Sequence, residues 1–288
     1  MFGIKTKIIR NRININGNRV RKGIINLEWW SEKENLGDYL SVVICEWMLG
    51  KEFLALNSPS SIKKKRQYIH LMGVGSIIGM GDFDATVWGS GVHTKSTINS
   101  VYLQRKNRRY DIRIVRGPLT KYVLELANYK CPNLFGDPVV LMPYIYDNNL
   151  KKIHDFSIIK HVTKSPRMKL DKYNYIDMQT HDYQMVVDEI KSSKKIISSS
   201  LHGIILAESY GIPAIFLSTG VEDEMLKYFD WYFSTGRTEV RYARTLDEAL
   251  RLKPMDLPDL TKMREALLSS FPYDLWSRRV MGCSNEKE

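Results

Sequence analysis

The sequence predicts an α/β protein built on parallel sheets. From Lys22 onward, short apolar, β-branched runs alternate with longer segments whose apolar residues recur at three and four. Glycine, proline, asparagine or aspartate stands at the joints. Several of the short runs are apolar at consecutive positions, as strands covered on both faces must be. With 288 residues, 43% of them hydrophobic, the chain can bury a sizeable core.

KGIINLEWW reads as a strand, ENLGD as a turn, and YLSVVICEWML as a helix. YIHLMGVGSII, ATVWGSGV and DIRIVRG read as further buried strands. PLTKYVLELANY is a helix opened by Pro118, where a missing N–H costs nothing. Proline and glycine then cluster in CPNLFGDPVVLMPYIYDNNLKK, which reads as a seam between residues 1–146 and 147–288. Beyond it come strands SIIKHV and YNYIDM, helix DYQMVVDEIKSS, strand KKIISSS, helix LHGIILAESYG, strand IPAIFLS and the amphipathic EDEMLKYFDWYF. A last helix, LPDLTKMREALLSSF, closes the chain and has the first half as one surface to pack on. Two similar α/β halves follow, without a repeat in the letters.

A net charge of +11 and a pI near 9.4 favour acidic partners: nucleic acid, an anionic membrane surface or a phosphorylated substrate. The basic clusters Lys63–Arg66 and Arg105–Arg109 lack the interleaved aromatics of an RNA-binding surface. They read as solvated loops or helix ends, with a peripheral anionic membrane as the functional option and no nucleic acid expected. The apolar stretches fall short of the roughly 20 residues of a membrane span, and the basic N-terminus lacks the apolar core of a secretory signal. Cys45, Cys131 and Cys283 are odd in number and far apart. A cytoplasmic protein is expected.

The candidate chemistry centres on SSSLHG, Ser198–Gly203, where a strand gives way to a helix. Ligands of parallel sheets bind at the carboxyl ends of strands, against helix N-termini. There His202 can move a proton near neutral pH, and Ser199, Ser200 and the helix amides can hold an anion; or the ring merely caps its helix or fills core. In NLGD, Asn35 and Asp38 face a cleft, with the carboxylate acting on a hydroxyl, or Asp38 serves only as a helix cap. Ser90 and Gly91 of WGSGVH and the glycines of GVGS permit close backbone approach, or simply make tight turns; His93 alone reads as structural. Arg116 in RGPLT stands at a strand end, suited to a phosphate or carboxylate, or to an exposed ion pair. The GDP at Gly136–Pro138 makes a turn. No histidine spacing suits a metal, and Asp82 with Asp84 lies among loop glycines, so no metal is expected.

Taken in order, NLGD, WGSGVH, RGPLT, FGDPVVLMP and IISSSLHGIILAESYGIPAIFL resemble the polysaccharide pyruvyl transferase family, from about Asn35 to Leu217. The resemblance implies two Rossmann-like domains facing a cleft, similar to the GT-B glycosyltransferase architecture. It implies phosphoenolpyruvate as donor, no separate cofactor, and as acceptor a sugar of a cell-surface polysaccharide or its lipid-linked precursor. The product would be a pyruvate ketal. His202 would be the acid, with Asp38 also catalytic. Arg116, Ser199, Ser200 and Gly203 would hold the donor, and Asn35, Asp38, Ser90 and Gly91 the acceptor. Some family members carry an arginine where this chain has Ser200, so Arg237, Arg241 or Arg244 would supply that cation, with Arg241 assigned to the donor. A nucleotide-sugar glycosyltransferase of similar architecture and a noncatalytic binder of anionic glycan or nucleic acid are the competing readings.

Overall fold

The computed structural model describes residues 25–57, 70–80, 83–161 and 173–275. Lys63–Arg66, Asp82 and Cys283 lie outside the described residues. The first sheet contains β1 (Ile25–Glu28), β2 (Leu54–Asn57), β3 (His70–Met72), β4 (Ala85–Trp88) and β5 (Tyr110–Ile114), in the order β2-β1-β3-β4-β5. The second contains β6 (Ser157–Ile159), β7 (Tyr175–Ile176), β8 (Ile196–Ser198), β9 (Ala214–Leu217) and β10 (Tyr242–Ala243), in the order β10-β9-β8-β6-β7. Every pairing is parallel. The α/β expectation therefore holds.

Read from its own first strand, each sheet has the order 2-1-3-4-5. The two halves share a topology that their letters do not show. In this arrangement the chain winds in opposite senses on either side of the first strand, which opens a crevice at the strands' carboxyl ends.

Helix α1 (Leu36–Leu49) starts three residues earlier than the sequence suggests, because the Asn35 side chain accepts the Gly37 amide at 3.2 Å and caps it. NLGD is thus a helix's first turn and not a loop. Helix α2 (Lys95–Gln104) was invisible to apolar periodicity, since only Val101 is buried. Its start is fixed by a capping box in which Thr97 Oγ1 accepts the Thr94 amide at 2.9 Å and Thr94 Oγ1 accepts the Thr97 amide at 3.4 Å.

Helix α3 (Pro118–Leu126) follows β5. In the second half come α4 (Tyr183–Lys191), α5 (Leu201–Ser209), α6 (Met225–Ser234), α7 (Leu246–Arg251) and α8 (Thr261–Ser270). Every residue of α5 is buried, so this helix is a central rod rather than a surface layer.

The stretch read as a seam is exposed near its two ends and buried in between. Pro138–Tyr144 forms a 3-10 helix whose Val139, Val140, Leu141 and Met142 are fully buried, packed against α5, α1 and α8. Four consecutive apolar side chains outweigh the turn signals around them. One apolar core runs from Ile25 and Leu71 through this segment to Ile159 and Phe216. The last helix lies against the first sheet: the Trp88 indole donates to the Leu267 carbonyl at 3.0 Å and meets Phe271 edge-on. Among the described residues no helix is long and apolar enough to cross a membrane.

Candidate active site

The carboxyl ends of strands from both sheets open onto one cleft of about 300 Å³. Trp30, Asn35 and Asp38 reach it after β1, Ser76, Ile77 and Met80 after β3, and His93 after β4. From the second sheet come His161 after β6, Ser200, Leu201 and His202 after β8, and Glu224 and Lys227 after β9. The crevices of both sheets therefore coincide.

His202 occupies the first turn of α5, behind Ser200, whose hydroxyl accepts the Gly203 amide at 3.4 Å. Its ring lies against Gly37, where a Cβ would fall 2.1 Å from Nδ1, so the glycine of NLGD makes room for the histidine of SSSLHG. Behind the ring, Nε2 lies 3.8 Å from Asp137 Oδ2. Both atoms are buried without another partner among the described residues. Burial, followed by the nearby charges of Arg116 and Lys227, pushes the imidazole down to about 3. The free protein holds this ring neutral at physiological pH. Asp137, read from sequence as part of a turn, is raised to about 6 by burial.

Asp38 faces the same space. Burial pushes its carboxyl up to about 7, against the charge of Lys227 and a 2.6 Å hydrogen bond from Asn35 Nδ2. Asn35 thus caps α1 with its oxygen and holds Asp38 with its nitrogen. Between the ordinary carboxylate value of 3.8 and about 7, the native chain keeps a proton that the unfolded chain releases. Ionising Asp38 therefore lowers stability as pH rises through that window. Asp38→Asn should melt higher than the parent by roughly 3 °C or more near pH 8, with the difference closing near pH 4. Thermal melts across that range provide the measurement.

Arg116 is not on the cleft wall. It is fully buried, and its guanidinium donates to Asp230 Oδ2 at 3.1 Å, Ser76 Oγ at 2.5 Å and the Val92 carbonyl at 2.7 Å. Asp230 of α6 also accepts the amides of Leu119 and Thr120 at 2.9 and 3.0 Å and the Thr120 hydroxyl at 2.6 Å. Helix α3 has Gly117 at its N-cap and no side-chain cap of its own, so Asp230 caps it from a distant helix. A Cβ on Gly117 would stand 2.1 Å from the Asp230 carbonyl. RGPLT is a clasp for α6.

Ser90 and Gly91 support this clasp instead of lining the cleft. The Ser90 hydroxyl donates to the Gly75 carbonyl at 2.8 Å and accepts the Ile77 amide at 3.4 Å. A Cβ on Gly91 would meet Arg116 Cζ at 2.4 Å. Ser199 and Gly203 also lie behind the wall. The Ser199 carbonyl accepts the Tyr228 hydroxyl at 2.7 Å, and a Cβ on Gly203 would come 2.6 Å from Ser198 Oγ. Arg241 pairs at 3.0 Å with Glu239 and is 43% exposed, and Arg237 is bidentate on Glu208 at 2.8 and 2.7 Å. Of the residues assigned from sequence, Asn35, Asp38, Ser200 and His202 line the cleft. Asp84, of the aspartate pair, accepts the Arg109 amide at 2.7 Å.

Sequence reading missed His161, Glu224 and Lys227 and treated His93 as structural. Lys227 and Asp230 sit one turn apart on α6 and are both buried, although that helix's sequence is amphipathic. Two charges inside an apolar helical face were the available signal. Burial, then Lys227, pushes His93 down to about 4, against the attraction of Glu224.

Residues 82–220 match the family model described as polysaccharide pyruvyl transferase. The matched stretch contains His93, Arg116, Asp137 and His202. Over that stretch, just under half of its length, the chain is similar to the polysaccharide pyruvyl transferase family. The resemblance read from the five motifs is thereby borne out. Over 218 residues the chain is 25% identical to the succinoglycan biosynthesis protein ExoV of Rhizobium meliloti, covering 73% of this chain and 64% of ExoV. An uncharacterised protein of Acanthamoeba polyphaga mimivirus is 29% identical over 188 residues, 61% of this chain and 63% of that protein. The matches thus span slightly less than two thirds of either relative's length. A crystal structure of an uncharacterised Klebsiella pneumoniae protein aligns with a TM-score of 0.46 at 15% identity, covering 78% of this chain and 93% of that one.

Proposed function

We propose that this protein transfers the enolpyruvyl unit of phosphoenolpyruvate to a saccharide, closing a pyruvate ketal across two hydroxyls and releasing phosphate. The observation that carries this reading is the meeting of His202 and Asp38 on one cleft, each on the first turn of a capped helix, in a chain similar to this family. The two parallel sheets of equal strand order suit a pair of Rossmann-like halves in a GT-B-like arrangement.

In the proposed reaction, Asp38 as carboxylate takes the proton of the first hydroxyl while that oxygen adds to C2 of the donor. Protonated His202 delivers a proton to the methylene carbon, which becomes the methyl group. The C2–O bond to phosphate then breaks, and the second hydroxyl adds at C2 and loses its proton. Of the two hydroxyl hydrogens, one is balanced on the methyl group and the other on phosphate. The burial that keeps His202 neutral in the free protein is offset when donor negative charge arrives beside the ring. Thus the acid is charged only when there is something to protonate. Trp30 offers an apolar wall for a sugar ring next to Asn35 and Asp38. The charge of +11 suits an acceptor with a pyrophosphate-linked lipid at an anionic membrane face.

Incubation with phosphoenolpyruvate and candidate lipid-linked glycans should yield a glycan carrying one added pyruvate by mass spectrometry, with phosphate released in equal amount. Glycan extension from a nucleotide sugar, without use of phosphoenolpyruvate, would reject the reading. Asp38 also predicts the pH profile. At saturating acceptor, kcat/KM for the donor should rise with pH through about 7 as the base ionises. In Asp38→Asn that rise should vanish along with most of the rate.

A further inference from the structure

We infer that Lys227 is the seat of the donor's phosphate group, with His161 and His93 beside it, on the same cleft as Asp38 and Asn35. This assignment rests on the reading of the cleft as a phosphoenolpyruvate site.

Among the described residues, Lys227 is the one lysine or arginine that lines the cleft. Its residue is 7% exposed, on the first turn of α6. A lysine held that deep needs anionic company. Glu224 Oε2 lies 3.7 Å from Nζ, and His161 Nε2 lies 3.3 Å away. The same glutamate is 3.7 Å from His161 and 3.9 Å from His93, which gathers these side chains at one place on the cleft.

Backbone architecture adds to this. Helices α1, α5 and α6 all direct their first turns at the cleft, through Asn35 and Asp38, Ser200 and His202, and Glu224 and Lys227. Aligned peptide dipoles make such termini favourable for anions. Of the other cations considered from sequence, Arg116 is held on Asp230 and Arg237 on Glu208, half-exposed Arg241 pairs with Glu239, and Arg244 is exposed and off the cleft lining. The Arg116 clasp on Asp230 sets the position of α6 and so delivers Lys227, one turn earlier, to the cleft. A phosphate at Lys227 would put the donor in the cleft that His202 and Asp38 also line.

The test is calorimetric titration of phosphoenolpyruvate, and separately of inorganic phosphate, into the full chain and into Lys227→Met, Lys227→Arg and Arg241→Ala. Loss of a charge-assisted contact should weaken phosphoenolpyruvate binding at least about 10-fold in Lys227→Met. Lys227→Arg should regain most of it, and Arg241→Ala should bind as the parent does. Melting curves verify that each variant is folded. Parent-like affinity in folded Lys227→Met, with pyruvate transfer intact in the parent, would overturn the phosphate seat and leave the proposed reaction standing. Lys227-dependent phosphate binding without any pyruvate transfer would do the reverse. A parent that binds neither anion would overturn both.

Discussion

Arg116→Met should lower the unfolding free energy by about 3–5 kcal/mol, the usual cost of removing one member of a buried ion pair. The variant leaves Asp230 buried with its backbone contacts to Leu119 and Thr120 but without its guanidinium, and it strips donors from Ser76 and the Val92 carbonyl. Chemical denaturation should show the loss as a lower midpoint with little change in slope. Any weakening of phosphoenolpyruvate binding should accompany this loss, because Arg116 holds the helix that bears Lys227 and does not itself reach the cleft. An Arg116→Met chain as stable as the parent but selectively unable to bind donor would show that the clasp is not the residue's main role.

His202→Gln should reduce turnover by roughly 10² to 10⁴, the range expected when a positioned proton donor is removed. Its melting temperature should stay within about 3 °C of the parent's. The ring rests on Gly37 and, among the described residues, Nε2 has no hydrogen-bond partner, so the fold draws little from that atom. Asp137→Asn is informative beside it. That change keeps the bond to the Val139 amide at 3.1 Å while removing the carboxylate behind the ring. A His202→Gln enzyme with turnover within threefold of the parent would remove His202 from the chemistry.

How much of this was legible beforehand depends on how local each cause is. Strands such as Ile196–Ser198 and Ala214–Leu217 were plain because burial on both faces demands consecutive apolar residues. Helix α3 was plain from Pro118 and its periodicity. Helix α2 was not, because its start depends on two threonine side chains and it buries little. The 3-10 helix at Pro138–Tyr144 is not legible either, because its apolar residues are buried by elements distant in sequence.

At the site, His202, Asp38, Asn35 and Ser200 could be picked out because each sits at a strand-to-helix corner, where parallel sheets bind ligands. Arg116 occupies such a corner too, and only the structure shows its side chain turned inward to Asp230. The residue types and chain order thus determined the α/β class, the family resemblance and four residues of the cleft wall. Tertiary structure decided which corners face each other, that Gly37 accommodates His202, and that Lys227 is the lysine or arginine lining the cleft among the described residues. The physical reason is range. Backbone propensity and capping act over a few residues, whereas charge pairing and steric fit act across 114 residues between Arg116 and Asp230, a separation no local pattern encodes.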